Sequence, residues 1–205
     1  MMEGKTIAIV DYGVGNLQSV TNAMAYLGFS TEITADPARL EKAAAIILPG
    51  VGAFPDAYAR LEERGLPDLL RAQALQKPIL GICLGMQLLF EGSDEIRPCK
   101  GLGLIPGWVK RIDTACKLPH IGWNDLTFPN PSPLFQNLPE ESYVYFVHTF
   151  AGHAACPEDV IAKTHYGTDI VAAVGRGMVF GCQFHPEKSG ETGLAILKQF
   201  GELIK

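Results

Sequence analysis

The chain has 205 residues, 47% of them hydrophobic and 19% charged, and its net charge is −5. That composition can bury a core of domain size and is not that of a disordered segment. An acidic balance with no block of like charge excludes the basic stripe by which nucleic acid is usually held. No apolar run approaches the ~18 residues of a membrane span. The start, MMEGKTIAIVDYG, lacks the apolar stretch of a secretion signal. Cys83, Cys99, Cys116, Cys156 and Cys182 form no CxxC pair, so a reduced, cytoplasmic protein without a disulfide framework is expected.

In chain order, TIAIVDY (residues 6–12) is an apolar run bounded by Gly13, as a buried strand would be. Leu17, Val20, Met24 and Leu27 then share a helical face that ends at Gly28. FSTEIT reads as a short strand, and AAAIILPG (residues 43–50) as a buried one stopped by Pro-Gly. Phe54, Ala57, Leu61 and later Leu66, Leu69 and Leu70 supply helical faces before the strand-like PILGIC (residues 78–83). From Leu84 the spacing of Gln87, Leu88 and Leu89 is again helical. After about Asp94 the pattern becomes short strands separated by Gly, Pro and Asn turns, which predicts hairpins, and TGLAILKQFGELIK returns to a helical period. There is no repeat, low-complexity stretch or linker, so residues 1–205 are expected to form one domain. The predicted fold is α/β: a three-layer, flavodoxin-like open sheet, mostly parallel, with helices on both faces and antiparallel hairpins in the second half.

Cys83 stands where the strand-like run becomes helical, with Gly81 and Gly85 two residues to either side. A strand–turn–helix junction presents its turn residue at the carboxyl edge of the sheet, where open α/β sheets bind ligands. Small residues at ±2 permit the sharp turn that lifts a nucleophile into the open, and G-I-C-L-G is that pattern with sulfur for oxygen. The following helix would point its N-terminus at the thiol and favour the thiolate, leaving the Leu84 N–H to donate to an oxyanion. Taken alone, the motif fits an inert cysteine at a tight turn equally well.

QFHPEKSG supplies the missing base. His185 and Glu187 are two apart and in extended backbone lie on one face, with Pro186 between them favouring that form. A histidine that takes the thiol proton, with a carboxylate behind it, is the nucleophile–base–orienter arrangement. Each residue alone also reads as structural or solvated; both together beside a cysteine elbow read as a site. In LPGVGAF, Gly50 and Gly52 leave the backbone around Val51 unobstructed, which suits a second oxyanion donor and a peptide able to reorient.

With these pieces in order, the sequence resembles the triad-type glutamine amidotransferases, whose hallmarks are the elbow GICLGMQ and the tail HPE. More narrowly it is similar to the subfamily of glutaminase subunits of imidazole glycerol phosphate synthase. That likeness runs through DYGVGNLQSV, PGVGAF, GICLGMQLLFEGS, GLGLIPG, HIGWN, YFVHTF and FGCQFHPEKSG. The resemblance implies that Cys83 attacks the carboxamide of L-glutamine to give a thioester and ammonia, with His185 as proton shuttle and Glu187 as its orienter. It implies oxyanion donors at Val51, Gly52 and Leu84, and substrate contacts at Gly50, Gln87 and the backbone of Thr149 and Phe150, where many relatives carry Ser-Tyr. It further implies a heterodimer with a (β/α)8 cyclase subunit that receives the ammonia, through interface residues Asn16, Trp123, Asn124 and Lys188. No cofactor and no metal are implied.

Other readings fit less well. Gly13 and Gly15 follow the first strand as in a dinucleotide site, but Gln18 stands where that fingerprint needs glycine. Cys182 and His185 form a C-x-x-H without further ligands at zinc-like spacing. His120, His148, His153 and His165 are scattered and read as structural or exposed, His148 lying closest to the site segments. Two alternatives remain: the glutaminase of another ammonia-channelling synthase, and a non-catalytic binding partner that kept the fold.

Overall fold

A computed structural model describes residues 5–139 and 141–204. Residues 1–4, where the secretion-signal reading begins, and Lys205, which ends the last helical stretch, lie outside the described residues.

The first half alternates strand and helix: β1 (Ile7–Val10), α1 (Leu17–Tyr26), β2 (Thr31–Thr34), α2 (Pro37–Lys42), β3 (Ala45–Gly50), α3 (Phe54–Glu63), α4 (Leu66–Ala74) and β4 (Ile79–Cys83). These four strands are parallel and neighbour one another in the order β4-β3-β1-β2. Alternation along them feeds two cores. Ile7, Ile9, Ile47, Leu80 and Ile82 pack on one side with Met24 of α1, while Ala8, Val10, Ile46 and Leu48 pack on the other with Leu40, Phe54, Leu61 and Leu70. A parallel sheet covered on both faces therefore reads as continuous apolar runs, as AAAIIL does. Each fully buried side chain of this size contributes roughly 1.5–3 kcal/mol over its exposed form.

α5 (Leu84–Leu88) follows Cys83, and β5 (Phe90–Ser93), β6 (Cys99–Lys100) and β7 (Ile105–Arg111) come next. β8 (His120–Asp125) and β9 (Tyr143–His148) form a separate antiparallel pair, and β10 (Phe150–Ala154) joins β7, β5 and β6 in a four-stranded sheet. β11 (Val160–His165), β12 (Asp169–Arg176) and β13 (Val179–Cys182) extend the main sheet to seven strands, and α6 (Gly190–Glu202) closes the chain against the α1 side. β13 is antiparallel to β12 yet parallel to β4, with Gly181 opposite Gly81 and Cys182 opposite Ile82. The hairpin thus carries the end of the chain to the edge where Cys83 sits.

Three details differ from the sequence reading. The helix after Cys83 stops at Leu88, and Phe90–Ser93 is a strand; Leu88, Leu89 and Phe90 are all fully buried, and a continuous apolar run carries no period to separate helix from strand. SYVYFVHTFAG is two strands, not one, broken at Thr149 so that β9 pairs with β8 and β10 with β7. α2, started by Pro37 and capped by Asp36 Oδ1 accepting from the Ala38 N–H at 2.9 Å, joins β2 to β3 and was not singled out.

Candidate active site

Cys83 takes φ 54°, ψ −111°, a conformation rare outside glycine, at the last residue of β4. The neighbours show why its flanks are small. A Cβ on Gly85 would lie 1.7 Å from the Leu48 carbonyl oxygen, and one on Gly81 would lie 2.6 Å from the Gly85 oxygen. The first turn of α5 is pressed against β3 and β4, which fixes the direction in which the thiol points. With only five residues, α5 aligns few peptide dipoles, so the expected help from a helix N-terminus is smaller than a full helix would give. The Leu84 N–H, at the first helical position, has no intrahelical acceptor.

His185 comes three residues after the register pair Cys182–Ile82. Its backbone N–H donates to the Tyr145 carbonyl at 3.0 Å, and the Ser189 hydroxyl donates to its carbonyl at 2.6 Å. The expected extended run across Pro186 is absent. Residues Pro186–Lys188 form a 3-10 turn that folds the Glu187 carboxylate back to the imidazole, Nδ1 to Oε1 at 2.9 Å. The two side chains are buried, at 4% and 1% exposure, and the Cys83 thiol also acts on the His185 ring. Burial pulls this imidazole down, but its interactions with Cys83 and Glu187 and the negative charge of both outweigh it and push the pKa up to about 9. The second oxygen of Glu187, buried, has no partner among the described residues.

Cys83 and His185 open into a cavity of about 360 Å³. Val51, Gly52, Leu84, Gln87, Thr149 and Phe150 line it, with Val147 and His148 of β9. Gly50 pairs with Cys83 across β3–β4 but does not line the cavity: a Cβ there would meet the Tyr12 hydroxyl at 2.5 Å. Gln87 lines it while its amide nitrogen donates to the Phe150 carbonyl and to Gln183 Oε1, each at 3.0 Å.

A family model described as "Glutamine amidotransferase class-I" matches residues 8–203. The chain belongs to the class-I glutamine amidotransferases. Curated members similar to it include proteins named imidazole glycerol phosphate synthase subunit HisH. The Moorella thermoacetica protein is 48% identical over 202 residues, covering 98% of this chain and 96% of the relative. That of Bacillus cereus is 46% identical over 201 residues, covering 97% and 95%. Two solved structures, a glutamine amidotransferase and PurLQS from Thermotoga maritima, match with TM-scores of 0.76. They are 20% and 22% identical and cover 98% of this chain and 99% of theirs, a likeness that carries the fold alone.

Within this amidotransferase the four residues expected at a partner surface are distributed unevenly. Trp123 is 54% exposed on β8, beside Ile121 at 57%, and Lys188 is exposed. Asn16 is half-buried before α1. Asn124 is half-buried and turns its amide inward, to His120 and to the His165 carbonyl.

Four polar residues at the site were not singled out from the sequence. Glu95 lines the cavity, its Oε2 accepting from the Phe54 N–H at 2.8 Å. Gln183, two residues before His185 on the same face, points its amide nitrogen at Cys83 Sγ, 3.9 Å away; that period-two spacing was the available signal. Tyr12 is fully buried and donates its hydroxyl to the Pro49 carbonyl at 2.7 Å, just before the 50–52 loop. His148 was read as structural, yet it lines the cavity. Cys182 packs in the core as a strand residue, and burial pushes its thiol up.

Proposed function

We propose that the chain is the glutaminase subunit of an imidazole glycerol phosphate synthase, acting as a single amidotransferase domain over residues 1–205 in the cytoplasm. The Cys83 sulfur attacks the side-chain carboxamide carbon of L-glutamine, and the carbonyl oxygen becomes an oxyanion facing the Leu84 N–H and the Val51–Gly52 backbone. His185, having taken the thiol proton, gives it to the amide nitrogen; the C–N bond breaks and ammonia leaves a thioester. A water, deprotonated by His185, then adds to the thioester, and C–S cleavage returns the thiol and releases glutamate. Glu187 stays ionised and holds the imidazole in the required orientation. Glu95 offers a carboxylate to the α-ammonium of glutamine, and the Thr149–Phe150 backbone offers main-chain partners to the rest of its backbone.

Ammonia set free in neutral water takes a proton and loses its nucleophilic lone pair, so release into a second subunit serves the chemistry. Ile121 and Trp123 on the outer face of β8, with Tyr143 half-exposed on β9, give an apolar patch next to Val147 of the cavity wall, suited to a (β/α)8 cyclase partner. A non-catalytic role would require one of Cys83, His185 or Glu187 to be missing or displaced.

The observation that carries this reading is the imidazole held between Glu187 and Cys83 at the mouth of one cavity. It is tested by measuring glutamate and ammonia formation with and without a cognate cyclase and its nucleotide substrate. Turnover is expected to rise steeply with both present and to vanish in Cys83→Ala. Comparable ammonia release by Cys83→Ala would overturn the assignment.

A further inference from the structure

His148, which lines the cavity, belongs to a second set of buried polar groups. His120 opens β8 and is fully buried; His148 closes β9 and is 6% exposed; the two are register partners. His148 Nδ1 is 2.8 Å from the Phe150 carbonyl, His148 Nε2 is 3.1 Å from His120 Nδ1, and His120 Nε2 is 2.8 Å from Asn124 Oδ1. Asn124 Nδ2 donates to the His165 carbonyl at 3.1 Å. That last bond fixes the amide: a carbonyl only accepts, so the nitrogen must face it and Oδ1 must face His120.

Both ends of the chain are therefore acceptors. The Phe150 end requires a proton on His148 Nδ1. With that proton placed, a neutral His148 can only accept at Nε2, so the contact between the rings is a hydrogen bond when His120 donates from its own Nδ1. Two neutral imidazoles satisfy two of the three contacts in this way, each as the Nδ1–H tautomer. All three contacts, His120 Nε2 to Asn124 Oδ1 included, are hydrogen bonds together only when the pair takes up one further proton and shares a single positive charge.

We propose that His120 and His148 are positioning residues that hold the Phe150 carbonyl, and with it the seat of glutamine, in register with Asn124 on β8. This rests on the reading of the cavity as a glutamine site. The Phe150 carbonyl also accepts from Gln87, whose second bond fixes Gln183 with its amide nitrogen toward the sulfur of Cys83. One line of polar contacts thus runs from Asn124 to the thiol. It begins on the strand that exposes Ile121 and Trp123, so a partner seated there can act on the substrate strip.

The groups facing the pair are few. Phe146 and Tyr166 stack on His120 with ring centroids 4.9 and 4.0 Å away, and the Tyr166 hydroxyl is turned to the Lys117 carbonyl. His165 contributes its carbonyl while its ring pairs with Asp169 at 3.0 Å. His185 is the charged group that acts on His148 from the cavity side. Burial pulls both imidazoles below the usual histidine range, His148 to about 4, against the opposing pull of the Phe150 carbonyl and Asn124. The third proton is accordingly present at low pH and lost as pH rises, and one of the two contacts of His120, to His148 or to Asn124, is then released.

Two readouts on the full chain with its cyclase test this. In His148→Leu the KM for glutamine is expected to rise about tenfold, with a smaller change in kcat, as loss of one hydrogen bond to the seat implies. His148→Asn, whose amide nitrogen can stand where Nδ1 stood, is expected to return KM to within about threefold of wild type. Equal KM values in the two variants, or a fall in kcat with KM unchanged, would overturn the proposal. Histidine ¹⁵N spectra of the unmodified chain at neutral pH are expected to show Nδ1–H on His148, and an Nε2–H tautomer on His148 would overturn it independently of activity. If the wild type with cyclase releases no ammonia, the glutamine site itself fails; if it is active and only the KM contrast is missing, the positioning role alone fails.

Discussion

Gly85→Ala is the substitution for which the structure gives the plainest magnitude. The added methyl carbon would stand 1.7 Å from the Leu48 oxygen, 2.8 Å from the Leu48 carbonyl carbon and 3.3 Å from that of Pro49. All three are backbone atoms of β3, so none can rotate away. An ordinary carbon–oxygen approach is about 3.3 Å, so α5 must retreat from the sheet by roughly 1.5 Å. Overpacking of this kind costs about 1–3 kcal/mol, and for a chain of this length each kcal/mol lowers Tm by about 2–4 °C. Activity suffers more, because a displacement of about 1 Å at a reacting atom can cost about a hundredfold. The assay is cyclase-coupled glutamine hydrolysis beside thermal unfolding: Tm down by several degrees, kcat/KM down a hundredfold or more. Wild-type turnover at a wild-type Tm would show that the elbow does not depend on this contact.

Three further outcomes follow from the same geometry. The His185 imidazole has a folded pKa near 9 against an ordinary value of 6.5, so its stabilising contribution is complete below about pH 6.5 and fades as pH rises toward 9, by at most roughly 3 kcal/mol. Thermal unfolding against pH should show that decline, flattened in Glu187→Gln; a wild-type profile level across the window contradicts it. Tyr12→Phe keeps the ring but leaves the buried Pro49 carbonyl unpaired, at a cost of about 1–3 kcal/mol, and should lower turnover by loosening the base of the 50–52 loop. Unchanged Tm and kcat would remove Tyr12 from the account. Trp123→Ala and Lys188→Ala alter exposed side chains, so cyclase affinity or coupled turnover should fall while the Tm of the free chain holds; intact affinity and coupling in both would place the partner elsewhere.

The parallel half of the fold was legible because β1, β3 and β4 are apolar runs punctuated by Gly and Pro, with amphipathic helices between them. The proposed triad stood out in the sequence for a related reason: Gly81 and Gly85 around Cys83, and His185 with Glu187, are local patterns whose chemistry is narrow. What failed to show were events decided by tertiary pairing. Phe90–Ser93 became a strand because β6 and β7 flank it, which the short local sequence Phe-Glu-Gly-Ser does not reveal. The break at Thr149 arises because β9 and β10 answer to different partners. His185 keeps the extended form expected before proline, and the chain turns only from Pro186 to Lys188, a step that depends on the Ser189 hydroxyl and the Tyr145 backbone holding His185. Glu95, Gln183, Tyr12 and His148 are polar residues in apolar or mixed segments, and their roles depend on neighbours 37 to 100 residues away in several cases, such as Tyr12 to Pro49 and Gln183 to Cys83.

All five cysteines are free; Cys116 is exposed, Cys83 and Cys182 are buried. Labelling with a glutamine analogue that carries an electrophilic diazoketone in place of the carboxamide, read by peptide mass spectrometry in the presence of cyclase, therefore separates recognition from mere access. The account predicts one adduct per chain, on Cys83, prevented by glutamine and paralleled by loss of ammonia release. Modification of Cys116 with Cys83 untouched, or full inactivation without an adduct on Cys83, would contradict it.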